Sequence, residues 1–276
     1  MRRRAPSTTV LAIVLLACGF ADRARADASL PDASKLATEV REALDPPSRS
    51  STRSVEMVTT LPGADAQSVT WQGRQLRKTL AGGRRSLTVL DSPASVAGFS
   101  ILVSETGGDQ DAVWMYVPPV RRVRRIVHPG RYEYVLGTDL ASSDFGVLRF
   151  DPSLQVREKV SLDGTEAWLL EEAPEAVPGG YSRIRTWIAT GTRLPLRRDF
   201  YDEAGGLWKV ETWSGVEKVD GVPTALEMTA RNAQEGSSTL LRFRDVHYDA
   251  AIDDRFFEPQ TMASASLPAD ATTGAP

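Results

Sequence analysis

Val222-Pro-Thr-Ala-Leu-Glu-Met-Thr-Ala-Arg231 decides the fold class. Val222, Thr224, Leu226, Met228 and Ala230 alternate with Pro223, Ala225, Glu227, Thr229 and Arg231. Side chains two apart share one face of a strand, so this stretch predicts a strand with one dry and one wet face. Asp220-Gly221 just before it is a hairpin turn signal. The same period recurs outward. Leu241 and Phe243 alternate with Arg242 and Arg244, and Ile184, Thr186 and Ile188 alternate with Arg183 and Arg185. Turn signals separate the runs at Pro62-Gly63, Gly82-Gly83, Gly107-Gly108, Asp163-Gly164, Gly179-Gly180 and Gly205-Gly206. About ten strands with little helix between them predict an antiparallel meander.

One helix is expected before the strands. Pro31 and Asp32 stand at its start, Leu36, Val40 and Leu44 lie on one face, and Pro46-Pro47 end it. A shorter helical piece is expected around Thr138 to Phe145. One apolar sheet face with so little helical cover predicts a strongly curved sheet, a half-open barrel closed over by one or two helices. Such a shape leaves a cavity, which points toward an apolar ligand.

The ends of the chain read differently. Arg2 to Arg4, the apolar run Val10 to Ala17 and Ala24-Arg25-Ala26 together predict a secretory signal peptide over residues 1–26. The apolar run is too short to span a bilayer. The single cysteine, Cys18 in Leu-Leu-Ala-Cys-Gly, also fits an acylation site, so a membrane-anchored lipoprotein stands as the alternative to a free periplasmic product. Neither reading leaves a thiol for a disulfide or metal site in the folded part. Residues 27–260 are expected to form one domain, and 261–276, rich in Ala, Ser, Thr, Pro and Asp, a disordered tail. The chain of 276 residues carries a formal charge of −3. The leader holds five basic residues and one acid, so the remainder is at −7. An acidic domain does not suggest a nucleic-acid binder.

Catalytic signatures are missing. His128 and His247 have no partner histidine at ligand spacing, and neither G-x-S-x-G nor a phosphate-binding glycine loop occurs. No cofactor or metal is expected, and the chain reads as a non-enzyme.

One segment carries more. In Asp111 to Phe145 an apolar run, Val113-Trp114-Met115-Tyr116-Val117, is broken by Pro118-Pro119. Arg121, Arg122, Arg124 and Arg125 then interleave with Val120, Val123 and Ile126. Two readings stand for these guanidiniums. They bind phosphate or carboxylate head groups or a partner, or they keep a strand edge from aggregating. This segment resembles the outer-membrane lipoprotein-sorting proteins of the LolA-like superfamily. The family pattern has an aspartate-rich turn (Asp109 to Asp111), W-x-Y-x-P (Trp114 to Pro118), a basic run (Arg121 to Ile126) and G-[ST]-D…D (Gly137-Thr138-Asp139 with Asp144). Leu194-Pro195-Leu196 and Asp254-Arg255-Phe256-Phe257 follow in the family's order. Leu140 to Ser143 depart from it, where members often carry aromatic residues.

The resemblance implies a half-open β-barrel with helical cover that holds acyl chains and ferries a lipid or lipoprotein across the periplasm. It also implies an association with an RND-type inner-membrane transporter. Expected pocket residues are Trp114, Tyr116, Phe145, Trp187, Trp208 and Met228, with Arg121, Arg122, Arg124 and Arg125 at the rim. A monomer is expected. Two other readings stay open: a periplasmic scaffold with a filled core, and an envelope hydrolase.

Overall fold

The computed structural model describes residues 30–63, 67–106, 111–126, 134–176 and 180–264. The expected signal peptide over residues 1–26, Cys18, His128 and residues 265–276 lie outside the described residues. Helix α1 spans Ala33–Leu44, and the Asp32 side chain caps it by accepting from the Lys35 N–H at 2.8 Å. Thirteen strands follow among the described residues. The first six are β1 (Ser51–Thr60), β2 (Ser68–Leu80), β3 (Gly83–Ser92), β4 (Ser100–Glu105), β5 (Ala112–Val117) and β6 (Arg122–Ile126). The remaining seven are β7 (Gln155–Leu162), β8 (Thr165–Glu172), β9 (Arg183–Ala189), β10 (Pro195–Tyr201), β11 (Leu207–Val219), β12 (Val222–Asn232) and β13 (Ser238–Tyr248).

All thirteen form one antiparallel sheet in the order β6-β5-β4-β3-β2-β1-β13-β12-β11-β10-β9-β8-β7. The chain thus starts mid-sheet, runs out to one edge at β6, crosses to the other edge at β7, and returns until β13 pairs with β1. The two edges are not hydrogen-bonded, so the expected barrel is an unclosed sheet, and it stays open where the chain crosses from β6 to β7. Asp220 and Gly221, at φ 46° and 86°, make the expected hairpin turn between β11 and β12, with Val219 opposite Val222. Gly73 sits at a register shift between β2 and β3, where a Cβ would meet the Val89 carbonyl oxygen at 2.2 Å.

The sheet buries both faces in its first half. On one face Val55, Met57, Trp71, Ile101, Val103, Val113, Met228 and Leu241 form the largest core, together with Leu140 and Phe145 from the crossing segment. On the other, Leu76, Leu87, Val89, Leu102 and Tyr116 pack against Ile252, Phe257 and Met262. Phe257 and Met262 belong to 3-10 segments, Asp254–Phe257 and Pro259–Ser264. The expected unstructured tail therefore does not begin at 261: Thr261–Ser264 are in a 3-10 segment, and Met262 is buried because it supplies the apolar cover that β3 and β4 need. Helix α1 puts Leu36 and Val40 on Leu170 and Ile188 of β8 and β9. The helical piece expected near Thr138 is a single 3-10 turn, Ser142–Phe145.

Candidate functional site

Tyr134 to Phe150 lies against the face carrying the larger core, and polar bonds hold it there. The Phe145 carbonyl accepts from Ser86 Oγ at 2.8 Å and Gln75 Nε2 at 3.3 Å, and the Gly146 carbonyl accepts from Arg77 Nη2 at 3.2 Å. The Val147 N–H donates to Glu105 Oε2 at 3.3 Å. Gly146 allows this close approach, since a Cβ there would meet Val103 Cγ1 at 2.9 Å. Both aspartates of the G-[ST]-D…D motif are anchors. Asp139 accepts from Ser237 and Thr239 of the β12–β13 hairpin, and Asp144 meets Lys209.

Lys209 is fully buried, an uncommon place for a lysine. Its Nζ is 2.8 Å from Asp144 Oδ2 and 2.7 Å from Glu211 Oε1, and it sits 4.4 Å from the Phe200 ring centroid. Burial alone would lower its pKa, but Asp144 and Glu211 outweigh it and hold the ammonium well above its ordinary value. Burial pushes Glu211 up, with Lys209 opposing, and pushes the Tyr181 hydroxyl up to about 12. A second buried pair lies nearby, Arg198 Nη2 to Glu172 Oε1 at 3.3 Å, and burial raises Glu172 against the pull of Arg198. Buried ion pairs of this kind hold a geometry more than they add stability.

Between this polar layer, α1 and the crossing segment lies a cavity of about 310 Å³. Such a volume is ordinary for a small-molecule site. Its apolar wall includes Tyr181, Phe200, Trp213, Met228, Leu241 and Phe243, together with Leu44, Leu148 and Phe150. Arg53, Arg77, Arg149 and Arg198 share the wall with Asp144, Asp151, Glu172 and Glu211.

The residues singled out in the sequence do not all gather here. Met228 lines the cavity. Phe145 lies in the core beside it and faces a smaller void with Met57, Leu90 and Val135. Trp114 and Tyr116 pack on the opposite face of the sheet, with Phe256 and Phe257. Trp208 packs against Tyr181, ring centroids 5.4 Å apart. Trp187 lies beside the Arg197 guanidinium at 5.6 Å. Arg122, Arg124 and Arg125 are exposed on edge strand β6, and Arg121 is exposed in the turn before it.

Sequence reading missed Arg53, Arg77, Lys209, Glu211, Glu172 and Arg198. The signal was present as charge in step with the dry positions: Arg53 shares parity with Val55 and Met57, and Lys209 and Glu211 with Trp213. No group of three or more His, Cys, Asp or Glu suited to a metal occurs among the described residues. No described helix is long and apolar enough to cross a membrane.

A family model described as that of an uncharacterized protein matches residues 82–264. No curated protein matches the chain. Among solved structures, a DUF1329 family protein from Desulfovibrio piger is 29% identical at a TM-score of 0.74, covering 83% of this chain and 96% of its own. A domain from Vibrio parahaemolyticus described as outer membrane lipoprotein-sorting is 24% identical at 0.74, covering 84% and 100%. A LolA superfamily protein from Nitrosomonas europaea is 19% identical at 0.65, covering 83% and 98%. These likenesses show the fold.

Proposed function

We propose that this chain, whose residues 82–264 match the model of an uncharacterized protein family and whose fold is shared with a lipoprotein-sorting domain and a LolA superfamily protein, is a periplasmic carrier that takes a lipid, or the acyl chains of a lipoprotein, into the cavity for transfer across the cell envelope. The observation that carries this reading is the 310 Å³ cavity, walled by aromatic and aliphatic side chains inside an unclosed sheet. Each buried methylene contributes about 0.8 kcal/mol, so a cavity of this size holds an acyl chain firmly but reversibly. Met228 with Trp213, Leu241 and Phe243 makes the acyl-facing wall in this reading. The exposed Arg121, Arg122, Arg124 and Arg125 contact a head group or a partner, for which an RND-type inner-membrane transporter is the leading class. Export by the leader over residues 1–26 supplies the compartment.

Native mass spectrometry of protein purified from the periplasm, followed by lipid extraction, tests this. A co-purifying lipid or acylated peptide near one per chain is the expected result. A chain with no bound lipid that also takes up none from micelles would favour a scaffold with a filled core. The same spectrum reads the mature N-terminus, Asp27 or an acylated Cys18.

A further inference from the structure

Among the described residues, two guanidiniums on the cavity wall lack the carboxylate that buried arginines ordinarily have. Arg53 of β1 and Arg77 of β2 are 3% and 8% exposed. Ser51 pairs with Arg77 and Arg53 with Gln75, so the two arginines are diagonal neighbours on one face, with backbones about 7–8 Å apart. Arg53 Nη2 donates to Ser51 Oγ at 2.9 Å and Arg77 Nη2 to the Gly146 carbonyl, while the Nε–H of each is buried with no partner.

The nearest acids are engaged elsewhere. Asp45 approaches Arg84 at 3.9 Å, and Glu105 approaches Arg41 at 3.9 Å and accepts from the Val147 N–H. Neither acid comes within 4.0 Å of Arg53 or Arg77, and neither is on the cavity wall, whereas both arginines are. Burial first, and then repulsion from Arg77, lower Arg53 to about 10, which still leaves it charged at neutral pH. The Arg53 guanidinium lies 5.1 Å from the Phe243 ring centroid, so the charge adjoins the apolar wall.

We propose that Arg53 and Arg77 form a buried anion site that receives the acidic head, a carboxylate or a phosphate, of an amphiphile whose hydrocarbon lies against Met228, Leu241 and Phe243. The inference rests on the carrier reading and names the chemistry of its cargo. A guanidinium pair presents several N–H donors in fixed directions, which suits a carboxylate or phosphate and rewards no ester or hydroxyl head to the same degree.

The delipidated protein is titrated by calorimetry with oleate, with oleoyl lysophosphatidate and with the uncharged monoolein. At least one acid is expected to bind about tenfold tighter than monoolein. Preference for oleate alone identifies a carboxylate head, for lysophosphatidate alone a phosphate head, and for both a general acidic site. In Arg53→Met, which removes no bond to the crossing segment, the preference collapses while monoolein affinity holds. This variant melts higher than the unmodified chain, because an unpaired buried charge is gone. Equal affinity of the unmodified chain for all three ligands overturns the anion site and leaves the carrier reading standing. So does an Arg53→Met variant that weakens acid and neutral ligands alike. Binding of none of the three overturns the carrier reading, and the anion site with it. The comparison among ligands needs only the unmodified chain, so a variant that fails to fold does not decide the matter.

Discussion

The first six strands show two faces that solve burial in opposite ways. One face closes dry: Leu76, Leu87, Val89, Leu102 and Tyr116 meet Ile252, Phe257 and Met262. The other carries Gln75, Arg77, Ser86 and Glu105 in step with its apolar residues, and it is covered by the backbone of a crossing segment held by hydrogen bonds. Apolar contact is non-directional and tolerates sliding, whereas hydrogen bonds and ion pairs fix a cover at one height above the sheet. A cavity survives on the polar face because its cover is propped.

The strongest way to break this contrast is Lys209→Met. It leaves the buried Glu211 and the half-buried Asp144 without their cation, at an expected cost of about 3–5 kcal/mol. Because Asp144 anchors the crossing segment, the melting temperature and acyl-ligand affinity should fall together. If the variant is as stable as the unmodified chain, the ion cluster does not prop the cavity. Phe257→Ala tests the dry face. Removing the ring is expected to cost about 3 kcal/mol by loss of burial and creation of a void. Ligand affinity, measured well below the melting point, should not change. A loss of affinity there would mean that the two faces are one coupled core.

The strands were more legible in sequence than what covers them, and for a physical reason. Period-two alternation reports which side chains share a face, so Val222 to Arg231 and Ile184 to Ile188 gave strands β12 and β9, and Asp220-Gly221 gave the turn between β11 and β12. Alternation does not report which face is concave. Trp114 and Tyr116 read as pocket residues because they are aromatic, yet they sit against Phe257. A buried charge is identified only when its counter-charge is known, and Lys209 meets Asp144, 65 residues away in sequence, through tertiary structure. The tail was misjudged at Met262, where one apolar residue in a polar stretch was enough to dock.

Acidity sharpens the contrast with a smaller effect. Burial raises Glu105, Glu172 and Glu211, all on the polar face. A carboxyl whose folded value exceeds its unfolded one contributes stability that is full below the ordinary value near 4.5 and lost as pH rises through the raised folded value. Lowering pH from 8 toward 5 should therefore raise the melting temperature by a few degrees. Below about pH 4 the trend should reverse, as exposed carboxylates held low by partners, Asp249 and Asp253 among them, take up protons. Glu172→Gln should flatten the rise, and Phe257→Ala should not. A melting temperature that falls steadily from pH 8 would show that the three glutamates are not raised in the folded chain.

Strand β6 belongs to both faces at once and should respond least. Val123 packs with the dry cluster and Ile126 with the other core, while Arg122, Arg124 and Arg125 point to solvent at the free edge. No ion pair within 4.0 Å joins any of the three to an acid among the described residues. Replacing all three by threonine should thus move stability by no more than about 0.5 kcal/mol. The two roles open to these arginines then separate. An edge strand stripped of charge offers unpaired N–H and C=O groups to another chain, so the gatekeeper role predicts concentration-dependent association in sedimentation velocity. A head-group or partner role predicts instead that sedimentation is unchanged and that binding to vesicles of an anionic phospholipid is lost. If neither changes, these residues are solvent-facing filler, and the functional contrast in this molecule lies wholly between its two covered faces.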